Sequence, residues 1–170
     1  WIAAPAALTG QTDSASPYET SLGFEAGINT TGQYSTFVGY QAGKTNTTAQ
    51  FGTGVGTWAL FSQTSGTRNV GVGYAASYTN ATGEDNAAFG HSALYNNTAS
   101  GNSIFGSQSG FRITTGARNV GVGQQALYGG AANLTGSNNV GIGYQTGYDL
   151  STGNNNFLGG YQAGANLTTG

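Results

Sequence analysis

Asn69-Val70-Gly71-Val72-Gly73 recurs as Asn119-Val120-Gly121-Val122-Gly123 and, with one isoleucine, as Asn139-Val140-Gly141-Ile142-Gly143. Each copy lies near a Thr-Gly or Ser-Gly turn and is followed, three places after its last glycine, by a small residue. With that last glycine as anchor, equivalent positions run along the chain at Gly23, Gly39, Gly56, Gly73, Gly90, Gly106, Gly123, Gly143 and Gly160. Successive anchors stand sixteen or seventeen places apart, except that twenty places separate Gly123 from Gly143. A second glycine ladder (Gly32, Gly66, Gly83, Gly101, Gly116, Gly136, Gly153, Gly170) closes Thr- or Ser-rich turns, most of them seven residues before the next anchor. A fixed internal period outranks any local reading of secondary structure.

The unit is too short for a helical-hairpin repeat, which needs about 30 residues. It fits one coil of an all-β parallel β-solenoid, with two or three short strands separated by glycine turns. About nine coils of 16–17 residues, stacked about 4.8 Å apart, make a rod about 43 Å long. Residues 1–17 stand outside the period and read as an N-terminal docking segment, with Trp1 and Pro5, followed by an inserted loop around Pro17. Residues 18–170 are the repeat domain. A further loop is expected at Gly129 to Asn133, where the anchor spacing rises to 20.

Residues two apart in an extended segment share a face. One before the anchor stand Leu22, Val38, Val55, Val72, Phe89, Phe105, Val122 and Ile142, a column expected to point inward. The residues three before the anchor share that face, and small residues three after it, such as Ala26, Ala76 and Ala126, mark a narrow corner. In the ninth coil Phe157-Leu158-Gly159 replaces the Val-Gly-Val pattern. Four before the anchor, Asn69, Asn86, Asn102, Asn119, Asn139 and Asn156 form a column whose amides can hydrogen-bond from coil to coil. Five after it stand Phe61, Tyr78, Tyr95, Phe111, Tyr128 and Tyr148, an aromatic column read as packing, an oligomer seam or a sugar-stacking strip. NVGVG is no dinucleotide fingerprint, since no GxGxxG opens a helix.

The recurring NVGVG, NVGIG and Phe-Gly units with a following alanine resemble the glycine-rich repeats of trimeric autotransporter adhesin heads and of phage tail fibres. The resemblance covers the chain from about residue 18. It implies a left-handed parallel β-roll, commonly trimeric, used in adhesion or host binding. The period departs from it, being longer than that of the adhesins, which keeps a three-sided single-chain β-helix open as an alternative.

The chemistry-bearing inventory is thin. Only 6% of residues are charged, the net charge is −2, and cysteine and methionine are absent. This gives no case for nucleic-acid binding or membrane insertion, and no thiol or disulfide chemistry. His91 reads as an exposed turn residue. Glu84 and Asp85 form an acidic pair with no third carboxylate nearby in sequence, short of the six to eight oxygens calcium takes. The serines have no recognisable base and orienting acid. The expectation is therefore no catalysis, no metal and no cofactor. Asn-X-Ser/Thr sequons at Asn29, Asn46, Asn80, Asn96, Asn133 and Asn166, all in the Thr-rich turns, are glycosylation candidates.

The expected role is an extracellular structural and adhesive fibre segment that self-associates, by end-to-end coil stacking or as a trimer. The alternative is a glycan- or receptor-binding head or shaft. A third reading, ice binding, rests on the hydroxyl column Thr31, Thr48, Ser65, Thr82, Ser100, Thr115, Thr135, Thr152 and Thr169.

Overall fold

The computed structural model describes residues 18–170. The segment expected to dock, 1–17, lies outside the described residues. The rest is a parallel β-solenoid. Its strands are β1 (Thr20–Leu22), β2 (Thr36–Val38), β3 (Thr53–Val55), β4 (Val70–Val72), β5 (Ala87–Phe89), β6 (Ser103–Phe105), β7 (Val120–Val122), β8 (Val140–Ile142) and β9 (Phe157–Gly159). They form one sheet in sequence order, every pair parallel. The register is the anchor register: Val70 pairs with Ala87, Val72 with Phe89 and Val122 with Ile142.

Each coil has one strand where two or three were expected. The remainder is turn, because three positions per coil adopt left-handed backbone. They lie five before, two after and four after the anchor, for example Arg68 (φ 57°), Ala75 (φ 51°) and Ser77 (φ 52°). An extended run cannot continue through such residues. The rungs nevertheless stay paired. In the fourth coil Ala75 N–H donates back to Thr57 O at 2.8 Å, while Ser77 and Thr79 N–H donate forward to Ala93 and Tyr95 O at 2.9 and 3.0 Å. Every turn is thereby tied to its neighbours as firmly as a strand. The longest coil expels its extra residues between Gly129 and Asn133, with Ala131, Ala132 and Asn133 exposed. Leu134 then rejoins the stack beside Ile113.

The inward strand residue is the middle one, two before the anchor. Phe37, Ala88 and Ile104 are fully buried there. The column one before the anchor, expected inside, faces outward: Phe105 is 41% and Ile142 45% exposed. The strand's alternation is intact but its parity is reversed. The space inside is narrow, and in six of the nine coils one large side chain from either of two walls fills it; the pairs Ser21/Gly27, Gly71/Ser77 and Gly141/Gly147 are small on both walls, and Phe37, Leu60 and Leu127 of neighbouring coils reach over them. Where the middle strand residue is large, glycine stands four after the anchor: Phe37 with Gly43, Ile104 with Gly110, Leu158 with Gly164. Where it is glycine or alanine, leucine can stand opposite: Gly54 with Leu60, Ala88 with Leu94, Gly121 with Leu127. A Cβ on Gly43 would overlap the Phe37 ring, and one on Gly164 would lie 3.0 Å from Leu158 Cδ1. Phe157-Leu158-Gly159 is thus the large-strand-residue form of the same coil.

This complementarity predicts compensation. Ala88→Ile alone overpacks the fifth coil and is expected to cost about 1–3 kcal/mol. Leu94→Gly alone opens a cavity costing about 2–5 kcal/mol, partly offset because Leu94 sits at φ 53° and glycine relieves that backbone. The double variant, which copies the Ile104/Gly110 coil, should recover most of both losses in urea denaturation. Simple additivity of the two costs would refute this complementarity between the two walls.

Candidate functional site

The side chains most organised by the fold are stacked columns, and the innermost is asparagine. Asn69, Asn102, Asn119 and Asn139 are fully buried. Each Oδ1 accepts the backbone N–H of the next asparagine: Asn86 to Asn69 at 3.0 Å, Asn102 to Asn86, Asn119 to Asn102 and Asn139 to Asn119 at 2.9 Å, and Asn156 to Asn139 at 3.0 Å. From Asn69 to Asn139 each Nδ2 donates to a corner carbonyl one coil on, as Asn102 does to Gly116 O at 3.0 Å, while Asn156 Nδ2 donates to Asn139 Oδ1 at 2.9 Å. The column satisfies the backbone where the chain turns inward and its own N–H would otherwise be orphaned. In the first coils other residues take this place. Ser35 Oγ still accepts Gly52 N–H at 3.1 Å. Glu19 accepts from Ser21 at 2.8 Å, and burial raises its pKa although the Ser21 hydrogen bond opposes the rise.

A second amide column, which the periodicity alone did not single out, stands two after the anchor. Gln125 donates to Gln108 at 3.1 Å, Gln145 to Gln125 at 2.9 Å and Gln162 to Gln145 at 2.8 Å. Gln41 sits between Glu25 and Trp58, donating to the first at 2.6 Å and accepting from the indole at 2.8 Å. The signal was present as glutamine recurring at one offset.

The aromatic column stacks continuously. Ring centroids are 4.9 Å apart from Phe61 to Tyr78 and from Tyr78 to Tyr95, 5.1 Å to Phe111, 5.4 Å to Tyr128 and 4.8 Å to Tyr148, with planes within 19° of parallel. Lys44 lies 6.0 Å from the Phe61 centroid and Arg112 5.9 Å from that of Tyr128. Burial raises the pKa of the Tyr95 and Tyr148 phenols. Each inner ring has its two faces turned to its neighbours. A sugar packs on a ring face, so between Phe61 and Tyr148 this geometry favours packing over a sugar strip. Exposed aromatics stand in other columns, one of them one after the anchor, where Phe24 is 64% and Tyr161 74% exposed. His91 belongs to that column, is exposed, and stacks on Tyr74 at 5.1 Å.

The six sequon asparagines are not equivalent. Asn29, Asn96 and Asn166 lie six after their anchors and stay at the surface, as does Asn133 in the loop. Asn46 and Asn80 lie seven after and are fully buried. Asn80 closes its own turn, accepting Gly83 N–H at 2.9 Å and donating to Gly83 O at 3.2 Å. A one-residue offset turns the side chain inward, where no glycan fits.

Charges are paired across coils. Arg68 contacts Asp85 at 2.5 Å and Glu84 at 2.8 Å, and holds the Asp85 carboxyl below its ordinary pKa. The acidic pair therefore has an arginine partner. Lys44 meets Glu25 at 2.7 Å, and its hydrogen bond, followed by that of Gln41, lowers the Glu25 pKa. Among the described residues no three His, Asp or Glu come together in a metal-binding group. The hydroxyl column at Thr82, Ser100 and Thr115 is exposed. Beside it, Thr47, Thr64 and Thr98 donate to next-coil carbonyls at 3.0 Å, so the neighbouring hydroxyls belong to the rod rather than to a free flat array. Comparison with family models, curated proteins and solved structures finds no match to this chain.

Proposed function

We propose that this chain is a rigid segment of an extracellular structural and adhesive fibre, of the adhesin-head or tail-fibre kind, that extends by stacking coil on coil. The observation that carries this reading is the set of ladders. Backbone rungs join every pair of successive coils, and the asparagine, glutamine and aromatic columns, each over part of the length, repeat along the same axis, so rod length scales with coil number. The last anchor, Gly160, has no atom within 4 Å of where a Cβ would stand, whereas Gly143 and the earlier anchors meet the carbonyl of the next coil.

Electron cryomicroscopy of the native material tests it. Continuous filaments with an axial repeat of about 4.8 Å support the fibre. Discrete short particles count against end-to-end growth and favour a terminal head. That second reading draws on the exposed Phe24, Tyr40, Tyr74 and Tyr161 column, which a glycan array would probe. If the fibre is glycosylated, site-resolved mass spectrometry should find sugar at Asn29, Asn96, Asn133 or Asn166. Sugar on Asn46 or Asn80 of the folded protein would contradict the inward placement of these two.

A further inference from the structure

The outer face of the sheet is the largest uncharged surface of the rod. Residues one and three before the anchor point outward from β1 to β9, and none of them is charged. Val72, Phe89, Phe105, Val122 and Ile142 form the centre, with the Phe89 and Phe105 rings stacked at 5.0 Å. Tyr40, Tyr74 and Tyr144 flank it. Parallel sheets almost always have both faces covered. The turns of each coil cover the inner face here, and no other described part of the chain covers the outer one.

The face spans about 38 Å along the axis and about 10 Å across, roughly 400 Å² in projection before the tyrosine flank and side-chain relief enlarge it. That already lies within the range of about 300–600 Å² for the largest apolar patch on an ordinary monomer. With its flanks it approaches the roughly 800 Å² per partner of a specific interface. Its ridges repeat at the coil spacing. A partner with the same spacing can interdigitate along the whole length, whereas an aperiodic partner matches at one or two coils. The chain that has this spacing is another copy of itself.

We propose that two copies pair laterally, outer sheet face to outer sheet face, through the column running from Leu22 to Ile142. This pairing does not rest on end-to-end growth, which uses the rungs at the coil ends.

Sedimentation equilibrium of the full chain, with electron microscopy of particle width, tests it. The chain should sediment at twice its 17.1 kDa mass, or at an even multiple of it where coils also stack end to end. Val72→Lys with Val122→Lys places charge in the face and should weaken pairing at least about 100-fold. Thr82→Lys with Thr115→Lys adds the same charge on the exposed corner and should leave pairing intact. Val122→Thr with Ile142→Thr keeps β-branched shape, so folding is not at issue, and should loosen pairing about tenfold. A monomeric parent, a closed trimer, or lysine variants that fold and still pair would each overturn the proposal. Filaments one rod wide overturn it while leaving the fibre reading intact. Paired particles one rod long uphold it and count against end-to-end growth.

Discussion

Gly90→Ala should lower the melting temperature by roughly 8–15 °C, the equivalent of about 4 kcal/mol in a chain of this size. Two costs combine. Gly90 sits at φ +135°, well beyond the left-handed well that other residues tolerate, and holding a side chain there costs about 1–3 kcal/mol. The added Cβ would also lie 2.6 Å from Gly106 O and 2.7 Å from its carbon. These are backbone atoms of the next coil and cannot swing aside. Relief requires the fifth and sixth coils to part, which strains the bonds from Gly106 N–H to Phe89 O and from Gln108 N–H to His91 O, both 2.8 Å. Gly159→Ala is the matched control. Its Cβ would meet nothing closer than 3.8 Å, and its effect should stay within about 0.5 kcal/mol. Thermal melts followed by circular dichroism compare the two. A Gly90→Ala protein melting alongside its parent would show that the anchor column is not a close-approach site.

The anchors explain how much of the fold was legible. An anchor glycine at positive φ, packed against a backbone carbonyl, resists exchange for any other residue. Its spacing is therefore visible in the sequence and gives the coil, the parallel stacking and the Gly129 to Asn133 loop. The strand parity was not legible for the opposite reason. In Asn69-Val70-Gly71-Val72-Gly73 the larger side chains form the regular column, and regular apolar residues ordinarily mark the inside. Here the interior position varies from glycine to phenylalanine, because it is matched to the residue four after the anchor and not to its own column. The interior volume is shared between the two walls, as in Gly54 with Leu60 or Phe37 with Gly43, and between neighbouring coils, as where Leu127 reaches over Gly141, so no single column displays it. The left-handed turn positions were hidden similarly. Glycine, Asp85, Asn138 and Asn155 occupy some of them, but Gln, Arg, Leu, Ala, Ser and Tyr, residues with no αL preference, occupy most of the rest and blur the pattern. For the candidate sites, the sequon split was present as an offset from the anchor, six for Asn29 and Asn96, seven for Asn46 and Asn80. It becomes decisive only once successive residues of that turn are known to alternate between surface and core.

Asn102→Leu is close to isosteric, yet it removes one side chain and orphans groups in two coils. Asn119 N–H loses its acceptor at 2.9 Å, and Gly116 O loses its donor at 3.0 Å. Asn97 Oδ1 loses a longer contact of 3.3 Å. Each buried group left unpaired costs about 1–3 kcal/mol, so the two principal losses should together cost about 2–6 kcal/mol. Asn156→Leu should cost less, since among the described residues no following coil uses the Asn156 Oδ1. Asn102→Asp separates the two halves of the amide's work. One carboxylate oxygen can still accept from Asn119, but the other faces Gly116 O and Asn97 Oδ1, both acceptors. Burial without a donor raises the pKa of such a carboxyl. A raised folded-state value means that the protonated acid is favoured, so its stability is full below the ordinary value of about 3.9 and is lost as pH rises through the folded one. The deficit of Asn102→Asp relative to the parent should therefore be large at neutral pH and shrink in acid, while that of Asn102→Leu stays constant. Equal, pH-independent deficits would show that the column works by shape alone. The ladder's role as register key follows from the same contacts. Asn119 and Asn139 are separated by the long coil, yet Asn139 N–H reaches Asn119 Oδ1 at the same 2.9 Å as Asn119 N–H reaches Asn102 Oδ1 across an ordinary coil. From Asn69 to Asn139 each coil thus presents one acceptor to the next coil's N–H, whatever its length, and a loop can be inserted without shifting the stack.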